Sequence, residues 1–185
     1  AWKIIQLHGN KVIVEPVEDI ESAIPAWEGE LIPVPFEIAQ GVGRLRKLIA
    51  SNKTDKVKSE FTVDNHALKE MVGIISKHKE KHVVPDDRSF LVENYKDFVI
   101  LHSCCGSLVN NTLGKYVAAI LTAETGVAVN MKTDPYRIIF QTVAKAEDIM
   151  RILTEAKNTE AVVRAALERS SLFKWRFLHI ARRFG

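Results

Sequence analysis

The stretch LHSCCGSLVNNTLGKYVAAIL, residues 101–121, contains both cysteines of the chain, between a histidine and a glycine. Its small residues, from Ser103 to Ser107, let a strand turn tightly into a helix, and Gly106 supplies permissive backbone angles. Apolar residues then recur at helical spacing on one face of the next segment: Val109, Leu113, Tyr116, Val117 and Ile120. The pattern predicts a strand, a corner and a helix that ends at Gly126.

The cysteine pair has three interpretations: a structural role, a metal site and a catalytic thiol. The structural role is favoured, because a buried free cysteine acts as a small apolar residue. A disulfide between neighbours would be strained, since adjacent Cα atoms lie ~3.8 Å apart and bridges usually span ~4.4–6.8 Å. A zinc site needs about four ligands, and the nearest others, His78 and His82, lie in the charged run KHKEKH. We expect both cysteines to be largely buried, with no metal site and no catalytic residue.

The segments around this stretch predict a regular series of strands and helices. Residues 51–61 are expected to be a polar connector, and Asp64 or Asn65 is expected to cap the helix that follows. The predicted elements are a hairpin at 2–16, helices at 36–50 and 63–83, strands at 89–95, 97–103, 127–134 and 136–143, and helices at 146–156, 158–169 and 171–184.

This order predicts an α+β fold, with a curved mixed sheet or partial β-barrel, packed helices and a C-terminal helical segment. We expect residues 1–144 to form the α+β domain and 145–185 to pack on it as one unit. The chain has 185 residues, 46% of them hydrophobic, which suits one globular domain or two small ones. It begins without a methionine and ends within a helical pattern, so we expect a fragment of a longer protein.

The composition and the motif content bear on cellular location, cofactors and membrane contact. The net charge is +3, and no apolar run is long enough to cross a membrane. Two cysteines make no disulfide framework, so we predict a cytoplasmic protein without membrane partners. The sequence has no phosphate-binding loop of the form G-x-x-x-x-G-K-[ST] and no dinucleotide fingerprint. We therefore predict no catalytic activity and no cofactor for this chain by itself.

Aromatic and basic residues are the candidates for contact with nucleic acid, because bases stack on rings and phosphates bind cations. Trp27 lies in a loop bounded by proline and glycine, where it either stacks on a base or anchors the loop. Lys132 and Arg137 flank a predicted turn and either meet phosphate or remain ordinary solvated charges.

The C-terminal segment RSSLFKWRFLHIARRFG, residues 169–185, contains five basic residues and no acidic one. Its spacing predicts one buried apolar stripe, formed by Phe173, Phe177, Ile180 and Phe184. Two interpretations of this helix stay open: its basic residues bind a polyanion, or the helix packs against another part of a longer chain. The candidates for nucleic-acid binding on this helix are Arg176, Arg182 and Arg183.

Four blocks of the sequence carry a more specific resemblance: P-x-W-x-G-E-x-I-P-V-P-F from Pro25, H-x-x-x-G-x-x-V-N-x-x-L-G from His102, D-P-Y-R from Asp134 and R-R-F-G from Arg182. They are the strongest marks of a resemblance, over nearly the whole chain, to the Lhr (large helicase-related) family of superfamily 2 ATP-dependent helicases. The similar segment is the DEAD/H-associated region, which follows two RecA-like motor domains and a winged helix.

The resemblance implies a domain that guides single-stranded DNA, in a parent chain that unwinds DNA or RNA–DNA hybrids in the 3′–5′ direction and takes part in DNA repair. ATP and Mg²⁺ would be bound by the parent chain, whose RecA-like and winged-helix domains would be partners of this one. It also favours base stacking by Trp27. Two alternatives stay open: a docking module that does not touch the strand, and a hydrolase that uses Cys104 or Cys105 with His102.

Overall fold

The computed structural model describes residues 2–9, 11–16 and 32–184. Its contacts divide the chain into two compact units, Ala1–Ile32 and Pro33–Gly185. The second unit holds the four-stranded sheet together with all of the C-terminal helices. The division predicted at 144 and 145 stays a prediction.

The first unit contains the predicted hairpin. Strands β1 (Trp2–His8) and β2 (Lys11–Pro16) pair antiparallel, with a register shift between Ile4 and Gln6. Gly9 turns the chain with a φ of +53°, a left-handed conformation that glycine adopts at little cost.

The second unit alternates helices and strand pairs in the predicted order. Its described elements are α1 (Phe36–Ala50), α2 (Thr54–Glu60), α3 (Asn65–Lys79), β3 (Leu91–Tyr95), β4 (Phe98–His102), α4 (Gly106–Thr125), β5 (Asn130–Asp134), β6 (Arg137–Gln141), α5 (Ala146–Thr154), α6 (Thr159–Arg169) and α7 (Ser171–Ala181). None of the helices in this described portion is both long and apolar enough to cross a bilayer.

The four strands form one sheet in the order β3-β4-β6-β5, and every neighbouring pair is antiparallel. The α+β class is therefore confirmed. The sheet differs from the expected mixed sheet because its described strand pairs are all antiparallel, and it is not closed into a barrel. Strands β3 and β5 stay at opposite edges, and barrel closure would require these edges to pair.

One face of this sheet forms the main core. Side chains alternate along β4 and β6, as the period of two requires, and Val99, Leu101, Ile138 and Phe140 are buried. They pack against buried residues of α4 and α5: Tyr116, Val117, Leu121, Ile149 and Ile152. Helix α4 ends as predicted at Gly126, whose φ is +71°.

A second core joins α1, α2 and α3 through Leu48, Ile49, Val57 and Leu68. Helix α2 replaces the connector predicted for this region. The sequence of α2 is polar except for Val57, which is fully buried. Packing of this side chain against α1 and α3 outweighs the weak helix propensity of the segment. The cap of α3 is Asp64, whose side chain accepts from the backbone N–H groups of the second and third residues after it.

The C-terminal helices appear where the sequence predicts them, and α7 packs on α6. The apolar stripe of α7 was predicted to be buried, and this prediction is wrong. Phe173, Phe177 and Ile180 are exposed, and Phe184 is 89% exposed. Helical spacing shows which side chains share a face, but it does not provide the surface that would cover them.

Candidate nucleic-acid interface

The corner at residues 103–107 joins three parts of the second unit. Gly106 has a φ of +81°, and a Cβ atom there would lie 2.8 Å from the carbonyl oxygen of Val34. The backbone N–H of Ser107 donates to that same oxygen at 3.0 Å, and the Ser107 hydroxyl accepts from the N–H of Val34. The Gly106 N–H donates to the carbonyl of Pro135. The tight corner predicted from small residues is therefore present.

A buried polar network extends the corner to the turn between β5 and β6. The amide of Asn110, fully buried on α4, donates to the carbonyl oxygens of Ser103 (3.0 Å) and Asp134 (2.9 Å). Its oxygen accepts from the Ser103 hydroxyl at 2.8 Å. The Ser103 N–H donates to the carbonyl of Tyr136 at 2.9 Å. The two bonds between Ser103 and Asn110 are buried and the bond to Asp134 is part-buried, and together they fix the turn against α4.

The cysteines belong to this corner. Cys104 is 2% exposed, as predicted, whereas Cys105 is only half-buried. Burial raises the pKa of the Cys104 thiol, although the nearby Arg46 guanidinium acts in the opposite direction. His102 is engaged with Glu93, with 2.8 Å between its Nε2 and the carboxylate.

A nucleophilic thiol needs a lowered pKa and a base beside it, so this geometry favours the structural interpretation. Within the described ranges, no three or more His, Cys, Asp or Glu side chains cluster as metal ligands would.

The turn between β5 and β6 presents a basic residue. Asp134 accepts from the N–H of Tyr136 at 2.8 Å and forms an ion pair with the half-exposed guanidinium of Arg137. The strand register places Asp134 opposite Arg137 and Lys132 opposite Ile139. Lys132 and Arg137 therefore lie on the same face of the sheet as diagonal neighbours.

A groove of about 310 Å³ opens beside this turn, between α1, α3 and the sheet. The guanidinium carbon of Arg46 lies 5.2 Å from the centre of the Tyr136 ring, a cation–π distance. No carboxylate among the described residues forms an ion pair with Arg46. The groove also receives His78, His102, Asp134 and Arg137, with apolar side chains from α3 and the loop after it.

The groove is lined by two arginines, Arg46 and Arg137, and by one carboxylate, Asp134, which pairs with Arg137. The half-buried guanidinium of Arg46 therefore has no direct ion-pair partner among the described residues. A guanidinium presents donors in a planar fork that matches phosphate oxygens. The groove, named here the Arg46 groove, therefore has donors that could bind a phosphate group.

The predicted site residues fall into three groups. Lys132 and Arg137 are brought together on the sheet beside the Arg46 groove. Arg176, Arg182 and Arg183 are exposed on α7 and just after it, and that helix packs on α6. Trp27 lies outside the described residues, so its role stays a prediction.

The sequence reasoning did not select Arg46, His102 or Tyr136 as binding residues. His102 and Tyr136 lie inside the H-x-x-x-G and D-P-Y-R blocks that carry the family resemblance, and that was a usable signal. Arg46 ends the stretch GVGRLR, which also carries the resemblance but lies outside these blocks, and only the packing of α1 against the corner places it beside Tyr136.

Residues 84–185, more than half of the chain, match the family described as DEAD/H associated. The ATP-dependent helicase Lhr-Core of Methanocaldococcus jannaschii is 27% identical over 190 residues, which cover 99% of this chain and 22% of that protein. The chain belongs to the Lhr family. The Lhr helicase/uracil glycosylase of Escherichia coli is 25% identical over 99% of the Lhr chain and 12% of its own length.

A solved structure supports the same assignment. The helicase Lhr of Mycobacterium smegmatis, bound to ssDNA and AMP-PNP, matches 82% of this Lhr chain with a TM-score of 0.65 and 26% identity. The match covers 21% of the Mycobacterium smegmatis chain. The Lhr chain thus spans about a fifth of the length of the archaeal Lhr-Core helicases and of this solved helicase.

Proposed function

We propose that this Lhr chain is an accessory nucleic-acid-binding domain of an ATP-dependent 3′–5′ DNA helicase, in which it guides single-stranded DNA. The observation that carries the proposal is the Arg46 groove, where Arg46 and Arg137 flank an aromatic ring at the end of an open sheet. The Mycobacterium smegmatis relative, solved with ssDNA, supports the choice of ligand.

The chemistry of unwinding belongs, in this proposal, to the rest of the parent chain. RecA-like domains would bind ATP and Mg²⁺, because the sequence of this chain contains no phosphate-binding loop. The winged-helix and RecA-like domains would be its partners. Action on RNA–DNA hybrids, a role in DNA repair and a cytoplasmic location stay predictions, as does the absence of catalytic activity from the chain alone.

Salt-dependent binding of single-stranded DNA tests the proposal. A fluorescent oligonucleotide is titrated with the 185-residue chain at several salt concentrations, and anisotropy gives the affinity. Contacts from Arg46, Lys132 and Arg137 to three phosphates give a slope of log affinity against log salt of about −2, since each contact on a single strand contributes about −0.7. Basic residues of α7 would make the slope steeper.

A matched pair of variants assigns the effect to the groove. Arg46→Gln removes the guanidinium beside Tyr136 and should reduce the steepness of the slope by about 0.7. Arg44→Gln, on the same helix, removes an exposed ion pair with Glu60 and should leave the slope unchanged. A flat salt response of the unaltered chain, or equal effects of both variants, would refute the proposed function.

A docking module is the second candidate, and the exposed apolar surface of α7 favours it. That surface includes Phe173, Trp175, Phe177, Leu178, Ile180 and Phe184. A patch of this kind on a soluble domain often marks a protein interface. In this case Phe177→Glu would weaken association with the remainder of the parent helicase, measured by co-purification, and leave DNA affinity unchanged.

A further inference from the structure

The sheet face opposite the main core carries two aromatic rings that the described residues leave open. Tyr95 at the end of β3 is 56% exposed, and Phe98 at the start of β4 is 36% exposed. The register places them directly opposite each other, so both rings project from the same face. Neighbouring rings on an open sheet provide a flat apolar surface against which other rings can lie.

Positive charge accompanies these rings. The amine of Lys96 lies 5.4 Å from the centre of the Tyr95 ring. Lys132 and Arg137 project from the same sheet face as Phe98, because the register pairs Phe98 with Gln141 and His102 with Arg137. The four strands place two acidic side chains on this face, Glu93 and Asp134, and these pair with His102 and Arg137.

The dimensions of the face suit a short run of nucleotides. His102 lies four positions after Phe98 along β4, which corresponds to about 13 Å at ~3.3 Å per residue. The rings therefore occupy one end of the face and the Arg46 groove the other. Four-stranded sheets that carry exposed aromatic rings stack about two or three bases in other nucleic-acid-binding modules.

We propose that Tyr95 and Phe98 form a stacking platform for unpaired bases of a single strand whose phosphates lie towards Lys132, Arg137 and the Arg46 groove. The proposal rests on the proposed function and specifies how the strand is recognised. Stacking is tolerant of sequence, because every base has a π-face. The platform therefore selects unpaired nucleotides over duplex, whose bases are covered by their neighbours.

Two probes of equal length and charge isolate the stacking contribution: an oligothymidylate and an abasic deoxyribose-phosphate oligomer. The Tyr95→Ala/Phe98→Ala variant of the 185-residue chain should bind oligothymidylate at least fivefold more weakly, from ~1–3 kcal/mol per stacked base. Its affinity for the abasic oligomer should not change. Arg46→Gln should weaken the binding of both probes.

Control variants separate stacking from general damage. Tyr95→Phe keeps the ring and should bind both probes normally, and Phe90→Ala removes an exposed aromatic side chain outside the platform. If the double variant does not fold, Tyr95→Ser alone provides the same comparison, because that side chain is largely exposed. Circular dichroism establishes that each variant used is folded.

The outcomes distinguish the two proposals. Unchanged oligothymidylate binding by the double variant, or equal losses on both probes, refutes the platform, while a loss caused by Arg46→Gln still supports the proposed function. If the platform is refuted in this way, the exposed rings of the sheet face are better explained as a contact surface for a protein. Failure of the unaltered chain to bind either probe refutes the proposed function itself.

Discussion

The Gly106→Ala substitution tests the corner on which the candidate interface is built. Gly106 has a left-handed backbone, and an added methyl group would lie 2.8 Å from the carbonyl oxygen of Val34 and 3.0 Å from the carbonyl carbon of Pro35. These neighbours are backbone atoms, which cannot move aside as the end of a side chain can. The Val34 oxygen also accepts a hydrogen bond from Ser107, so displacement would weaken that bond.

The expected loss follows from these contributions. A left-handed conformation costs an alanine roughly 1–2 kcal/mol, and forcing a methyl group into a packed site costs about 1–3 kcal/mol more. We expect Gly106→Ala to lower the free energy of unfolding by about 2–5 kcal/mol. Gly126 also has a left-handed backbone, but there is open space around it. Gly126→Ala should therefore cost only the roughly 1–2 kcal/mol of the left-handed conformation.

Urea denaturation followed by circular dichroism measures both variants, provided that each unfolds in one cooperative transition. Gly73→Ala, in an open position on α3, serves as a third variant and should stabilise the chain by about 0.5–1 kcal/mol. The reasoning is refuted if Gly106→Ala loses no more stability than Gly126→Ala. In that case the close approach of Val34 would not constrain the corner.

Three further predictions concern the same corner. Asn110→Ala should lower the free energy of unfolding by about 2–4 kcal/mol in the same urea assay, because it removes the partner of the buried Ser103 carbonyl and of the part-buried Asp134 carbonyl; a loss under 1 kcal/mol would contradict this. Cys104 should react with iodoacetamide more slowly than Cys105 at neutral pH. Burial raises the pKa of the Cys104 thiol, so its rate should increase only at pH above the ordinary thiol range, and faster alkylation of Cys104 would exclude the structural role. The same raised pKa predicts stability that is present below the unfolded thiol pKa and is lost as pH rises beyond it.

Most of the fold could be predicted because local patterns and tertiary packing agree. Residues 98–102 alternate between buried and more open positions, and this period of two identifies β4 directly. The helix after the corner has apolar spacing and a glycine cap, and both signals are local. The sheet order was not predictable in the same way, since strand pairing depends on contacts between residues distant in sequence.

The candidate site was harder to predict for the same reason. Lys132 and Arg137 were found from the turn between them, a local feature. Arg46 and Tyr136 are 90 positions apart by their numbers in the sequence, and only the packing of α1 against the corner brings them together. The apolar stripe of α7 was predicted correctly as one helix face, but its burial was not, because amphipathic spacing does not identify the surface that would cover that face.

The corner explains why a cysteine pair can accompany a binding site without acting chemically. The bonds that orient the β5–β6 turn run from the backbone of Ser103 and Gly106 and from the amide of Asn110. Cys104 fills the space behind them and contacts Arg46 at 3.9 Å from its sulfur. Small buried side chains are needed there, because a larger residue at 104 would displace either the turn or the arginine. The thiol thus contributes through its size, and its position next to the groove follows from packing.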